Sequence, residues 1–123
     1  MAKRVLAIGN CSYDHGNLTA AIREHFDAEV QAASNADEAL TLLGEQSFDL
    51  VLVNRVLEVD RSSGVDLVRR IKQDPQLGDP VVMLVSNFSD AQADAVEAGA
   101  ERGFGKKALS APETIARLRP HLG

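Results

Sequence analysis

Five short apolar runs in the sequence each end in polar or small residues, and these endings are where chemistry is expected. The residues at the endings are Gly9, Asn10, Asn54, Ser86 and Lys106. Uninterrupted apolar runs are typical of strands buried on both faces of a parallel sheet. In open sheets of this kind, ligands bind at the carboxyl ends of the strands. Asn54 therefore lies where a reactive group is expected, but its side chain is an amide and not an acid.

The elements that would position these residues alternate along the chain. We predict strands at Arg4–Ile8, Ala28–Ala32, Leu50–Val53, Val81–Val85 and around Phe104, separated by amphipathic helical segments. Such alternation implies right-handed βαβ units and a parallel sheet. Five units in 123 residues fit a doubly wound, flavodoxin-like α/β fold with the strand order 2-1-3-4-5. We find no repeat, low-complexity tract or linker, so residues 1–123 are predicted to form one domain.

The helical segments differ in how strongly their patterns define an inward face. The third is predicted to bury Val65, Val68 and Ile71. The fourth, SDAQADAVEAGA, is rich in alanine and is predicted to pack close to the sheet. Pro120 is predicted to end or kink the last helix, because proline removes a backbone donor.

Charge and composition exclude several classes of protein. The net charge of −5 argues against a nucleic-acid-binding domain, which usually presents a basic face. No apolar run approaches the roughly 20 residues needed to span a bilayer, so no membrane segment is predicted. The single cysteine, Cys11, rules out an internal disulfide and fits a reducing compartment, so we expect a cytoplasmic protein.

A specific set of spacings links four stretches in order along the chain, which are VLAIGN, FDLVLVN, VVMLVS and GAERGFGKK. Together they resemble the receiver domain of response regulators in bacterial two-component signalling, over essentially the whole chain. Gly99, Ala100 and Lys106 match the closing motif of that family, and Gly64 matches the glycine that opens its third helix. The loop before Gly64 is about two residues longer than usual in the family.

The resemblance implies roles for the residues at the strand ends, and the sequence departs from them. Asn54 stands where the family has its phosphoacceptor aspartate, and Gly9 and Asn10 stand where it has an acid pair that binds Mg²⁺. Magnesium sites usually use one or two carboxylates, and an amide is not a competent nucleophile for making an acyl phosphate. We therefore expect a pseudo-receiver with no metal and no cofactor, in which the pocket lysine, Lys106, is retained.

The residues that report phosphorylation in the family are also altered. Ser86 occupies the Ser/Thr position, but Gly103 occupies the position of an aromatic residue on the fifth strand. The family usually contacts partners through the face formed by the fourth helix, fifth strand and fifth helix. We expect Gly103 to leave a shallow depression on that face, which would suit a docking protein.

The resemblance thus implies a non-enzymatic signalling module that acts through protein contacts, and it leaves the oligomeric state open. One alternative is an unconventional phospho-receiver in which Glu58 and Asp60 bind the metal. Another is a small-ligand or cobalamin-binding domain of the same fold. The segment Asp14-His15-Gly16 does not have the Asp-x-His spacing that cobalamin-binding domains use.

Single residues at the edge have open interpretations. Asn54 is a lost acceptor, a buried amide that satisfies loop N–H groups, or both. Lys106 has no obvious buried anion, so it points to solvent, bonds Asn54 and Ser86, or binds an inorganic anion weakly. Phe88 is expected to pack under its own loop, with a partner contact as the alternative, and Cys11 is expected to be inert.

Overall fold

A five-stranded parallel sheet with helices on both faces forms the protein in the computed structural model, which describes residues 2–123. The strands are β1 (Lys3–Ile8), β2 (Ala28–Ala33), β3 (Leu50–Asn54), β4 (Val82–Val85) and β5 (Glu101–Phe104). The helices are α1 (Ser12–His25), α2 (Ala36–Glu45), α3 (Gly64–Gln73), α4 (Ser89–Glu97) and α5 (Pro112–Leu122). The strands lie in the order β2-β1-β3-β4-β5, which confirms the predicted fold class.

The sheet separates two apolar layers because successive side chains of a strand point to opposite faces. Leu6 of β1, Val51 of β3 and Leu84 of β4 face α2, α3 and α4. Their neighbours in sequence face α1 and α5, where Ile22 and Leu118 are buried. The central strands are buried on both faces, which explains why their sequences are apolar without alternation.

Helix α3 buries two of the three predicted residues, Val68 and Ile71, and also Leu67, which was not predicted. Leu67, Val68 and Ile71 are buried, whereas Val65 lies half-buried at the rim of the core. Gly64 allows the start of α3 to lie close to the end of β3, since a Cβ there would clash with the backbone oxygen of Asn54.

Helix α5 continues through Pro120 to Leu122, so of the two predicted outcomes, an end or a kink, the end at Pro120 was wrong. The proline removes only one backbone hydrogen bond close to the end of the helix. Leu122 is buried against the sheet and His121 lies 3.2 Å from Glu101, so the last turn keeps its tertiary contacts. Across residues 2–123, none of the helices has both the length and the apolar character required to cross a membrane.

Candidate functional site

The carboxyl ends of β1 and β3 bring Gly9 and Asn54 into contact, as the predicted strand order requires. The Asn54 Nδ2 group donates to the backbone oxygen of Val56 at 2.7 Å and, more weakly, to that of Gly9 at 3.4 Å. The expectation that this amide satisfies loop N–H groups was therefore wrong, because its partners are carbonyl oxygens. A carboxylate has no hydrogen to donate to these oxygens, so the local backbone favours an amide.

Gly9 is held in a conformation that other residues rarely adopt. Its φ is +83°, in the left-handed region that favours glycine. A Cβ built on Gly9 would lie 2.6 Å from Cγ of Leu57. The space beside Gly9, where the resemblance implies an acid, is thus occupied by the apolar side chain of Leu57, which is fully buried there.

The loop between β3 and α3 carries Leu57 into this position by forming a small hairpin. Val56 and Ser63 form an isolated antiparallel bridge, and the Leu57 N–H donates to Ser62 O at 2.9 Å. Arg61, at φ +62°, makes the turn, and its N–H donates to Leu57 O at 2.8 Å. The Glu58 N–H donates to Gly9 O at 2.9 Å, which fixes the hairpin to the end of β1. Our reading of the sequence missed Leu57, although its apolar side chain within a polar loop was a visible signal.

The donor set at this edge does not fit Mg²⁺. Gly9 has no side chain, Asn54 presents its NH₂ group to carbonyl oxygens, and the buried Nδ2 of Asn10 has no partner among the described residues. Glu58 is exposed and lies 3.7 Å from Arg61, while Asp60 accepts from Ser62. Between residues 2 and 123, no three His, Cys, Asp or Glu side chains are grouped to hold a metal. This geometry does not favour the alternative in which Glu58 and Asp60 replace the acids.

Lys106 has a carboxylate partner that the sequence reading did not identify. Its Nζ lies 2.6 Å from Oδ2 of Asp14, in the first turn of α1. The hydrogen bond from Lys106 lowers the pKa of the Asp14 carboxyl below its usual value, against the opposing effect of desolvation. The three roles predicted for Lys106, toward solvent, toward Asn54 and Ser86, or with an inorganic anion, did not include this partly exposed pair, and a lysine already paired with Asp14 gives less support to an anion site. Asp14 follows the end of β1 by one helical turn, which places it at the same edge of the sheet.

Ser86 and Phe88 shape the loop after β4. The Ser86 Oγ accepts from the Phe88 N–H at 3.1 Å, a local turn bond that serine often makes. Phe88 is 55% exposed, so the expectation that it packs under its own loop was wrong. The Arg55 guanidinium lies over the Phe88 ring, 4.9 Å from its centroid. The ring thus forms part of a surface at the carboxyl edge, supported by a cation–π contact.

Gly103 lies in β5 with its backbone close to β4, and it is buried. A Cβ there would clash with the carbonyl oxygen of Leu84, so no aromatic side chain fits this backbone. A cleft of about 310 Å³ is present on the expected face, with Gln92, Gly103, Glu113 and Arg117 among its lining residues. The depression is therefore present, but its walls are polar, and the buried side chain of Gln92 was not foreseen.

The start of α1 has no feature of a cofactor ligand set. Cys11 is the N-cap residue of the helix, and its Sγ accepts from the Asp14 N–H at 3.5 Å. The His15 Nε2 lies 3.4 Å from the Thr19 hydroxyl, on the next turn of the same helix. With Asp14 paired to Lys106, this segment gives no support to the cobalamin alternative.

Comparison with known proteins identifies a family. The model of the response regulator receiver domain matches residues 14–119. Among solved structures, a response regulator from Thermotoga maritima superposes with a TM-score of 0.76 at 24% identity, covering 98% of this chain and 97% of that one. The chemotaxis response regulator CheY4 of Vibrio cholerae has a TM-score of 0.76 at 16% identity, covering 99% of this chain and 100% of that one.

A third similar structure is a response regulator from Burkholderia pseudomallei with a phosphorylated aspartic acid, a calcium ion and citrate. It superposes with a TM-score of 0.72 at 22% identity, covering 98% of this chain and 66% of that one. The chain thus spans about two thirds of that protein. At these identities the superpositions show that the fold is shared.

Proposed function

Because the chain belongs to the response regulator receiver domain family, we propose that it is a degenerate receiver that signals without phosphorylation of Asn54. Receiver domains of two-component systems are generally signalling modules and interact with protein partners. We assign residues 1–123 to one such domain, of which Met1 lies outside the described residues. In this proposal Asn54 stands for the phosphoacceptor, and Gly9 and Asn10 stand for the acid pair.

The position of Leu57 over Gly9 is the observation that carries this proposal. Any acid introduced at position 9 would need the space that Leu57 fills and a backbone conformation that favours glycine. The Asn54 amide is already committed to two carbonyl oxygens. The apolar Leu57, the glycine and the amide therefore form one consistent arrangement that brings no carboxylate to positions 9 and 54, in place of a metal-binding pocket.

The proposed output is contact with a protein partner through the face formed by α4, β5 and α5. The polar cleft on this face, whose lining includes Arg102, Glu113 and Arg117, offers charged groups for such a contact. In this proposal the domain is a cytoplasmic, non-enzymatic module. Its partner reads the shape of this face independently of phosphoryl transfer.

Incubation with acetyl phosphate and Mg²⁺, followed by intact mass measurement, tests the proposal. We expect no gain of one phosphoryl group, because positions 9, 10 and 54 carry no carboxylate. A receiver with an intact acid pair and phosphoacceptor aspartate is the positive control. A phosphoryl adduct that is absent from the Asn54→Ala variant would refute the proposal, whereas an adduct mapped to Ser62 or Ser63 would not bear on Asn54.

The variant Asn54→Asp provides a sharper form of the same experiment. One carboxylate beside Gly9 and Asn10 offers too few anionic ligands to draw Mg²⁺ from its water shell. We therefore expect Asn54→Asp to remain unphosphorylated under conditions that saturate the positive control. Ready phosphorylation of this single variant would show that the pocket still binds the metal, against the donor set described above.

A further inference from the structure

The pairing of β4 with β5 is irregular next to Gly103. Met83 pairs with Glu101 and Val85 pairs with Phe104, so Arg102 and Gly103 both stand opposite Leu84. This is the arrangement of a β-bulge, in which one strand has an extra residue and the ladder is locally disrupted. Backbone groups on both strands therefore need other partners at this point, because unpaired buried N–H and C=O groups are costly.

The side chain of Gln92, from α4, supplies these partners. Its Nε2 donates to Leu84 O at 2.8 Å and to Ser86 O at 3.1 Å, while its Oε1 accepts from the Gly103 N–H at 2.9 Å. The residue is only 4% exposed. A carboxamide has the same donor and acceptor groups as a peptide unit, so Gln92 substitutes for a missing rung between the two strands.

The other backbone group of Gly103 is bound from the opposite side of the sheet. The Arg117 Nη1, from α5, donates to Gly103 O at 3.1 Å. One glycine of β5 is thus bound through its N–H by α4 and through its C=O by α5. The absence of a Cβ permits this, because a Cβ would clash with Leu84 O.

We propose that Gln92 and Arg117 form a lock at Gly103 that holds α4, β5 and α5 in one fixed arrangement. Movement of α4 away from the sheet would leave Leu84 O, Ser86 O and the Gly103 N–H without partners at once. The face that they form is then a permanently shaped surface, and its shape does not depend on the chemistry at Asn54. This inference goes beyond the proposed function, since it concerns the mobility of the face and not phosphoryl transfer.

Amide hydrogen exchange and relaxation dispersion measured by NMR on the whole chain test the lock. In the wild type we expect no microsecond-to-millisecond dispersion within Ser89–Glu97 or Glu101–Phe104. In Gln92→Met, which keeps the side-chain length and removes the amide, the Gly103 N–H should exchange about 10- to 100-fold faster. Relaxation dispersion should then appear within Ser89–Glu97 and Glu101–Phe104 and not at Leu6 and Leu52, in β1 and β3, because the opening is local.

The variant Gln73→Met is the matched control, because Gln73 is exposed on α3, and it should leave the Gly103 exchange rate unchanged. Dispersion spread equally over the whole sheet in Gln92→Met, or no acceleration at Gly103, overturns the lock. If Gln92→Met fails to fold, the wild-type measurement decides, since dispersion in α4 and β5 would show a mobile face. Phosphorylation of Asn54 would refute the proposed function and leave the lock standing, so the two failures are distinguishable.

Discussion

In the function proposed above, two positions lack a side chain, an acid at Gly9 and an aromatic ring at Gly103, and the two gaps are filled by opposite chemistry. At the ends of β1 and β3, the apolar side chain of Leu57 covers Gly9. Between β4 and β5, the polar side chain of Gln92 is inserted beside Gly103. Both side chains are almost entirely buried, so solvent access does not explain the difference.

The state of the backbone at each glycine explains why one gap is filled by an apolar side chain and the other by a polar one. Around Gly9 the main-chain groups already have partners, since its N–H donates to Ala33 O and its C=O accepts from Glu58. Only a volume has to be filled there, and an apolar side chain fills it without the cost of burying a polar group. At Gly103 the bulge removes ladder hydrogen bonds, so donors and acceptors have to be supplied. An apolar side chain therefore fills the volume beside Gly9, and an amide supplies the missing hydrogen-bond donors and acceptor beside Gly103.

Truncation of Leu57, which covers Gly9, is expected to have the largest effect on the stability of the protein. We expect Leu57→Ala to lower the free energy of unfolding by about 2–5 kcal/mol, the range for large-to-small changes at fully buried sites. Urea denaturation followed by circular dichroism measures it. Val59→Ala, at an exposed position of the same hairpin, is the control and should change stability little. Equal, small effects of both variants would show that Leu57 does not fill the gap.

Substitution of Gly9 distinguishes a steric from an electrostatic reason why this position does not accept an acid. We expect Gly9→Ala and Gly9→Asp each to lower the free energy of unfolding by about 1–3 kcal/mol, because a Cβ itself meets Leu57 and φ is +83°. The same denaturation experiment measures both. Gly44→Ala, at an exposed helical position with free space around it, is the control and should not destabilise. A large loss in Gly9→Asp alone would instead indicate that charge is what the site rejects.

Asn54→Asp tests the remaining polar contact of the first region. We expect a loss of about 1–3 kcal/mol of unfolding free energy at neutral pH, since Val56 O loses its donor and both Val56 O and Gly9 O face a carboxylate. Asn87→Asp is a matched control, because the Asn87 Oδ1 accepts from the Lys107 N–H and an aspartate retains that acceptor. If both variants were equally stable, the orientation of the Asn54 amide would be the reverse of the one described.

The smallest effect is expected for the ion pair beside these regions. Lys106→Met should cost about 0–1 kcal/mol at neutral pH, because both side chains of the pair with Asp14 are partly exposed. Lys106 lowers the Asp14 pKa in the folded state, so the pair stabilises the fold above the usual carboxyl value of 3.8. This contribution is lost as pH falls through the lowered pKa of the folded state.

An NMR titration of the Asp14 carboxyl measures this effect directly. In Lys106→Met the Asp14 pKa should rise toward 3.8, whereas Lys107→Met, at an exposed neighbouring position, should leave it unchanged. An Asp14 pKa that does not respond to Lys106→Met would show that the pair does not persist in solution.

The sequence alone was sufficient to predict the fold and to predict which residues lie at the carboxyl edge of the sheet. Uninterrupted apolar runs, alternation with helices and short connections determine a parallel sheet, and the strand order then brings Gly9 and Asn54 together. The absence of carboxylates at positions 9, 10 and 54 is likewise a property of the sequence. These features can be predicted from the sequence because they depend on local periodicity and on rules of topology that hold for many sequences.

What fills the gaps was decided by the tertiary structure. Leu57, Asp14 and Gln92 act on residues distant in sequence or across a turn, and no pattern within one element predicts their partners. Their roles follow from backbone details such as the left-handed Gly9, the hairpin after β3 and the bulge in β5. A shift of about one residue in the hairpin or the bulge would point these side chains elsewhere. The contacts therefore form only when the whole sheet and its loops are in place.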